Sequence, residues 1–276
     1  MKLKFSISHT AALLVVLVFS LTASEIAAAA FSAGIAPSRF ELRGRPGQVI
    51  RDTVVVMNAG QQPAGYRFHT ADWTFGDDGG LEYIEDRLAE GSCRPWVRLE
   101  RKEIQIAARG QKRYRFEIHI PEDAAPGLCK LAIMIEPAET ASAAVGSDGQ
   151  IRFPVVGRYA VIVYVTIGDA QPDIQFEGLG RHMMGELTLP TLLLRNVGNT
   201  HGRTFGRITA TDADGQRHVL IASDFPILPG REEEIMLIPD DMENGRVDHI
   251  RMRYPLQVEG RFEVGGQRFT VEQQFD

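Results

Sequence analysis

The stretch Ile151-Arg-Phe-Pro-Val-Val-Gly-Arg-Tyr-Ala-Val-Ile-Val-Tyr-Val-Thr-Ile167 is the strongest fold signal in this protein. Apolar β-branched or aromatic residues fill nearly every second position, and this period predicts a β-strand about three times the usual length. Pro154 has no backbone N–H, so the first part of the strand is expected at a sheet edge. An exposed apolar edge promotes aggregation, and proteins usually suppress one. An edge of this kind that is kept suggests a use, namely addition of the strand to the sheet of a partner protein. A buried central strand with a bulge between Pro154 and Gly157 is the alternative.

The first 30 residues have the pattern of a secretory signal peptide. Lys2 and Lys4 precede an apolar run over 11–21, and cleavage is expected after Ala30. This run is too short to span a bilayer, which takes ~20 residues, and no second long apolar run follows it. The mature protein is therefore expected to be soluble, outside the cytoplasm and without a membrane span.

Charge and length limit the class of protein. The whole sequence has 30 basic and 36 acidic residues, so removing Lys2, Lys4 and Glu25 leaves 28 and 35, a net charge of −7. This acidic balance argues against a nucleic-acid partner, which requires a basic surface. The remaining 246 residues (276 minus 30) predict two domains.

Two cysteines, Cys93 and Cys129, are the only ones in the sequence. An even number in an exported protein favours a disulfide, and two free buried thiols are the alternative. In the predicted strand order both cysteines lie at the same end of a sandwich, where a bond between them would tie its two sheets together.

Short predicted strands separated by turn signals continue through the sequence. Eight or nine strands and no helix are predicted over 31–168, which favours an antiparallel sandwich. A linker over 169–175 leads to a second all-β unit, and each half has a strand ending in Asn-X-Gly, at Asn58 and Asn196. We therefore predict an all-β protein of two immunoglobulin-like antiparallel β-sandwich domains, over 31–168 and 176–276.

Sequence motifs of catalysis are absent. There is no nucleophile elbow, zinc-protease helix motif, phosphate-binding glycine loop or C-x-x-C pair. The segment Asp212-Ala-Asp-Gly215 begins like a calcium loop, but Ser223 stands at its twelfth position, where glutamate is required, so a hairpin turn is favoured. We predict no enzymatic activity, no cofactor and no metal site.

Two arginines stand out because each interrupts an apolar pattern. Arg39 lies in the first predicted strand, and strand parity places Arg158 on the face opposite Ile151, Phe153 and Val155. Arginine binds carboxylates bidentately and stays charged, so two arginines converging in a cleft would anchor a carboxylate such as the C-terminus of another protein. The alternative is that both lie at a rim and extend into solvent.

Five segments of the first predicted domain form a set: Ile35-Ala-Pro-Ser-Arg39, Val54-Val-Val-Met-Asn58, Trp96-Val-Arg-Leu99, the strand 114–120 after the turn Arg109-Gly110, and Pro126-Gly-Leu-Cys-Lys-Leu-Ala-Ile-Met-Ile-Glu-Pro137. Together they resemble the periplasmic chaperones that assemble pili in Gram-negative bacteria. The aromatic-arginine-proline ending of that family's donor strand is absent, since this protein reads Val163-Tyr-Val-Thr-Ile-Gly168. The second domain looks more like a general immunoglobulin-type domain of envelope proteins.

The resemblance implies a donor strand that completes a subunit's unfinished fold, and a basic pair that anchors the subunit's C-terminal carboxylate. Ile151, Phe153 and Val155 match the apolar donor positions. Arg39 and Arg158 match the basic pair, although the family usually has lysine at the second position. The implied location is the periplasm, the implied partner is an exported pilin-like subunit, and an outer-membrane usher is a further candidate partner.

Two other classes remain open at this point. A structural or adhesive envelope protein built of immunoglobulin-like domains would keep the strand over 151–155 paired and buried. A hydrolase site assembled only in three dimensions is the third possibility, and no set of residues argues for it.

Overall fold

A computed structural model describes residues 33–76, 79–89, 91–139, 144–145, 151–152, 157–185, 187–240 and 252–276. The described part of the protein is almost entirely β-structure, and it confirms the predicted fold of two immunoglobulin-like antiparallel β-sandwich domains. None of the helices in these residues is long and apolar enough to cross a membrane.

The described residues of the first half form twelve strands and one turn of 3-10 helix, Arg94–Trp96. One sheet has the strand order β1-β3-β8-β6, and the other has β2-β12-β9-β4-β5, with β7 also paired to β4. The strands are β1 (Ala33–Ala36), β2 (Arg39–Gly44), β3 (Val49–Asn58), β4 (Ala64–Phe75), β5 (Leu81–Ile84), β6 (Val97–Leu99), β7 (Glu103–Ile106), β8 (Gln111–His119), β9 (Gly127–Pro137), β10 (Ala144–Val145), β11 (Ile151–Arg152) and β12 (Tyr159–Ile167).

The core of this sandwich forms where alternate apolar residues of the two sheets face each other. Val54, Phe116 and Leu131 are among its members, each at most 1% exposed. Cys93 and Cys129 are bonded beside this core, with Cα atoms 5.9 Å apart, which confirms the predicted disulfide. The bond ties β9 to the segment that leads into β6.

The first predicted strand, over 35–41, is two strands in the structure. The backbone crosses from one sheet to the other at Ala36–Pro37, whose peptide bond is cis. Before this point β1 pairs antiparallel with β3, and after it β2 pairs parallel with β12.

The prediction of one continuous strand over 151–167 is wrong. The pair Ile151–Arg152 forms a short antiparallel ladder with Ala144–Val145, and sheet pairing of β12 starts at Tyr159. Gly157 and Arg158 lie between the two strands and outside both. The intervening residues 153–156 are outside the described residues.

The second half is one sheet folded on itself, with the strand order β13-β14-β18-β16-β15-β19-β20 and with β17 paired to β15. Leu192, Leu220 and Val258, each 0% exposed, lie in its core. The strands are β13 (Ile174–Met184), β14 (Leu187–Asn196), β15 (Gly202–Thr211), β16 (Arg217–Ala222), β17 (Pro226–Ile227), β18 (Glu232–Pro239), β19 (Leu256–Val264) and β20 (Gln267–Phe275).

Three sequence assignments in this half have different outcomes. The hairpin turn predicted at 212–215 is present, since it joins β15 to β16 and Oδ1 of Asp212 accepts the N–H groups of Asp214 and Gln216. The alternating residues of Ile250-Arg-Met-Arg-Tyr254 also predict a strand, which is not found at 252–254, and 250–251 are outside the described residues. The predicted domain limits stay predictions, although β13 and its core contacts begin at Ile174.

The β2-β12-β9-β4-β5 sheet has a second apolar layer on the face opposite its core. Trp73 and Met134, each 1% exposed, and Tyr164, 3% exposed, pack there against Leu228 of the second half. The ring of Phe225 adds a contact across the same boundary, to Phe75, with centroids 4.7 Å apart. The two halves are therefore joined by buried apolar surface, which holds one against the other.

Candidate functional site

Strand β12 is paired unevenly along its two sides. β9 pairs with it from Tyr159 to Ile167, whereas β2 pairs with it only from Ile162 to Ile167. The N–H of Ile162 donates to the carbonyl oxygen of Ser38 on the β2 side, at 3.0 Å. By the two-residue period of a strand, the N–H of Ala160 points to this same side, and among the described strands none pairs with it there. Among the described strands, the sheet therefore has an open position beside Ala160.

Arg39 stands at the boundary of this open position. It is the first residue of β2, and it lies opposite Ile162 in the parallel register. Its side chain is 41% exposed, with Nη2 2.8 Å from Oδ2 of Asp224 and Nε 3.3 Å from Oε1 of Glu41. A cation therefore marks the point where the open position ends, and a carboxylate from the second half holds it.

The structure does not bring Arg39 and Arg158 together. Nη1 of Arg158 lies 2.6 Å from Oε1 of Glu85, and its guanidinium lies 5.9 Å from the ring centre of Tyr83. The partner of Arg39 on β12, Ile162, is four residues further along the sequence, or about 13 Å at a rise of roughly 3.3 Å per residue. Arg158 pairs with Glu85 and Arg39 pairs with other carboxylates, so the two arginines do not share one carboxylate in this arrangement. The parity count that predicts the orientation of Arg158 runs through residues outside the strand.

Glu85 links Arg158 to β4, because its second oxygen, Oε2, lies 2.8 Å from Nε2 of His69. Burial raises the pKa of this carboxyl group. The hydrogen bond with His69 and the charge of Arg158 outweigh that effect, so the pKa of Glu85 lies below its ordinary value. The carboxylate is therefore ionised at neutral pH and pairs with Arg158.

The disulfide end of the sheet positions Glu85. Arg94 directly follows the bonded Cys93, and its guanidinium donates to three main-chain carbonyl oxygens within 84–87. Asp72, 3% exposed, accepts the N–H of Ala89 at 3.0 Å on the same segment. The segment that carries Glu85 is therefore held by hydrogen bonds at both of its ends.

A second cation, Arg203, lies beside Arg39 in the cleft between the halves. Its side chain is 9% exposed, with Nε 2.6 Å from Oε1 of Glu41 and Nη1 3.2 Å from Oδ1 of Asp224. Its guanidinium also lies 5.1 Å from the ring centre of Tyr164. No local sequence pattern marks this residue, because Arg203 is separated from Glu41 by 162 positions and from Asp224 by 21.

Glu41 is the carboxylate shared by this cluster. Its Oε1 contacts both arginines, and its Oε2 is hydrogen-bonded to Nε2 of His201. Burial raises the pKa of Glu41, but the hydrogen bond with His201 and the charges of His201 and Arg203 outweigh it, so this pKa lies below its ordinary value. A cleft of about 300 Å³ opens here, lined also by Arg43, Thr166 and Phe205.

The predicted apolar contact residues lie before this region in the sequence. Ile151 begins β11, opposite Val145. Phe153 and Val155 lie outside the described residues, and the roles of all three in binding stay predictions.

Neither a family model nor a curated protein matches this sequence. Several solved structures are similar to this protein at low identity. A chaperone–tip adhesin complex of CFA/I fimbriae biogenesis has 10% identity and a TM-score of 0.48, covering 88% of this protein and 98% of that one. The class 5 fimbriae chaperone CfaA has 11% identity and a TM-score of 0.46, covering 89% and 99%. The Salmonella enterica SafA pilin–SafB chaperone complex has 11% identity and a TM-score of 0.44, covering 90% and 99%. Because about one residue in ten is identical and the TM-scores lie below 0.5, function has to be inferred from the site itself.

Proposed function

We propose that this protein is a non-enzymatic periplasmic chaperone of the pilus-assembly type, exported by its first 30 residues. Its client is an exported pilin-like subunit that lacks one edge strand. The chaperone binds this subunit by strand addition, and an outer-membrane usher is the proposed acceptor of the complex.

The open position of β12 beside Ala160 carries the proposal. A client strand in this position would continue the row that β2 occupies from Arg39 onward. If it runs parallel to β12, as β2 does, its C-terminus points at Arg39. The arrangement therefore offers main-chain hydrogen bonds along the strand and a charge-assisted bond at its end.

The segment before β12 would supply the apolar part of the binding energy. Ile151, Phe153 and Val155 alternate in the sequence, so in an extended backbone they face one side. Burial of three such side chains contributes on the order of 5–9 kcal/mol, offset in part by the entropy of ordering the segment. This range is enough to hold a client without ATP.

Arg158 keeps a proposed role as a client contact, now beside the added strand. It lies immediately before β12 with a side chain 48% exposed, so a client strand beside Ala160 would pass within its reach. The anchor for the terminal carboxylate is proposed at Arg39.

The proposal is tested by isolating the tagged full-length protein from the envelope of the organism that makes it. We expect a small β-rich subunit to co-purify in a one-to-one ratio. Val155→Asp should abolish this capture, because a buried unpaired charge opposes binding. Val219→Asp is the matched control, since Val219 lies on a strand of the second half and is 44% exposed. Capture that survives Val155→Asp contradicts the proposal.

A structural or adhesive envelope protein is the second candidate, and one observation favours it. The backbone of Ile151–Arg152 is already paired with Ala144–Val145 in the free protein. If this pairing extends through Val155, the segment is closed to a client. Slow amide hydrogen exchange throughout 151–155 in the isolated protein would favour this candidate, and fast exchange would favour the chaperone.

A further inference from the structure

The carboxylate of Asp224 forms ion pairs with two arginines that come from different halves of the molecule. Its Oδ2 lies 2.8 Å from Nη2 of Arg39, and its Oδ1 lies 3.2 Å from Nη1 of Arg203. One oxygen for each guanidinium is the arrangement that a bound carboxylate adopts between two basic groups. The side chain of Asp224 therefore occupies a site between two arginines that fits the carboxylate of another molecule.

The two arginines differ in how firmly they are held. Arg203 is 9% exposed and is fixed by Glu41, by the ring of Tyr164 and by a 2.7 Å hydrogen bond to the main-chain oxygen of Asp224. None of these contacts involves the carboxylate of Asp224. If that carboxylate leaves, Arg203 therefore keeps its position and is paired with the carboxylate of Glu41 alone.

Asp224 is the part of the site that can move. Its side chain is 47% exposed, and it lies on a connection between β16 and β17 and not within a strand. A rotation about its side-chain bonds would expose the carboxylate to water. It breaks the exposed ion pair with Arg39, which contributes little, and the 3.2 Å contact with Arg203. An incoming carboxylate would restore the charge balance of the pair of arginines.

We propose that Arg39 and Arg203 together form the anchor for the client's C-terminal carboxylate, and that Asp224 occupies this anchor until the client displaces it. This inference rests on the proposed chaperone function. It assigns the second cation to β15 of the second half, in place of Arg158. Client binding then depends on how the two halves are oriented, because each of them contributes one arginine.

The test uses two octapeptides, Thr-Val-Thr-Val-Thr-Val-Thr-Val with a free C-terminus and the same peptide ending in a carboxamide. We expect the full-length protein to bind the free acid at least about tenfold more tightly than the amide, because charge-assisted hydrogen bonds form only with the acid. Asp224→Asn should strengthen binding of the acid about fivefold and leave the amide unchanged, since it removes the competing charge and keeps the shape.

Two variants identify the second cation. Arg203→Gln should reduce the preference for the acid by about fivefold or more, and Arg158→Gln should leave it unchanged. An unchanged preference in Arg203→Gln, or a loss of preference in Arg158→Gln, overturns the assignment. Because Arg203→Gln also removes contacts within the protein, the gain of binding in Asp224→Asn provides the independent readout.

A further titration separates failure of the anchor from failure of strand addition. N-acetylvaline has a carboxylate but is too short to form a strand. In Asp224→Asn it should shift the NMR signal of the Arg203 Nε–H group saturably, and N-acetylvaline amide should not. Absence of this shift overturns the anchor whatever the peptides do, whereas a shift without binding of either octapeptide contradicts strand addition alone.

Discussion

Arg39 and Ile162 lie opposite each other where β2 begins to pair with β12. Within the part of the protein that the structure describes, the sheet is closed from this pair onward and open before it, at Ala160. The proposed function depends on this arrangement, because a client strand added at the open position would end at the cation of Arg39. The residue opposite this cation on β12 is apolar, and the nearest described cation that shares its carboxylates is Arg203.

Arg39→Ala should weaken client capture by about tenfold or more while leaving the fold nearly unchanged. Its ion pairs are solvent-exposed, with 41% of the Arg39 side chain accessible, so their loss costs about 0–1 kcal/mol of unfolding free energy. Client binding and urea unfolding measured on one preparation test both statements. Arg51→Ala is the control, since Arg51 forms a similar exposed pair with Glu117 at 2.7 Å. Full capture by Arg39→Ala would rule out a carboxylate anchor at this residue.

The contact between the halves should weaken in acid because of Glu41. Its pKa in the folded protein is lowered from an ordinary value of 4.5, so its stabilising effect is fully present above about pH 4.5 and is lost as the pH falls through the folded-state pKa. Urea unfolding between pH 7 and pH 3 should therefore show a smaller decline for Glu41→Gln than for the wild type. Equal slopes for the two proteins would show that Glu41 is not held by His201 and Arg203 in solution.

Loss of the disulfide should destabilise the first half. The bond closes a loop with a sequence separation of 36 residues, for which the chain-entropy relation gives about 3–4 kcal/mol. The double variant Cys93→Ala, Cys129→Ala should lose at least this much unfolding free energy, since both residues are also buried. Reducing agent should destabilise the wild type and leave the double variant unaffected. A wild type indifferent to reduction would contradict a stabilising role for the bond.

Leu228→Ala should loosen the packing of the second half against the first. Leu228 is 7% exposed and contacts the cluster around Trp73, and truncation of a buried leucine typically costs about 2–5 kcal/mol. The fluorescence of Trp73 should shift to longer wavelength as water reaches the boundary. Leu88→Ala is the control, because Leu88 is 56% exposed. An unshifted spectrum would mean that Leu228 does not seal this boundary.

The elements that can be predicted from the sequence have strong local patterns. The apolar patterns over 49–57, 112–120 and 129–136 predict strands that agree with β3, β8 and β9 to within one or two residues at each end, and an even cysteine count predicts the disulfide. The sequence pattern does not predict β13, because most of its residues beyond Leu179 are exposed and it contains Gly178 and Gly180, so apolar alternation is weak. The local sequence pattern thus predicts strands that bury one face of their side chains, and it misses strands whose side chains are mostly exposed.

The candidate site can be predicted only in part. Arg39 is recognisable because it interrupts an apolar strand. Arg203 is missed because its contacts are made across the boundary of the two halves, and a single sequence contains no record of such pairing. The role of Arg158 stays a prediction, and the parity argument for its orientation does not apply, because parity holds only within one strand and β12 begins after Arg158.

Amide hydrogen exchange at Ala160, in the isolated protein and in the complex with its co-purified subunit, is the decisive test of strand addition. We expect the amide of Ala160 to exchange rapidly in the free protein and at least about tenfold more slowly in the complex, because an added strand would accept its hydrogen bond. The amide of Ala132 in β9, a residue 0% exposed, should exchange slowly in both states. An Ala160 amide that exchanges equally fast with and without the subunit would contradict strand addition at β12.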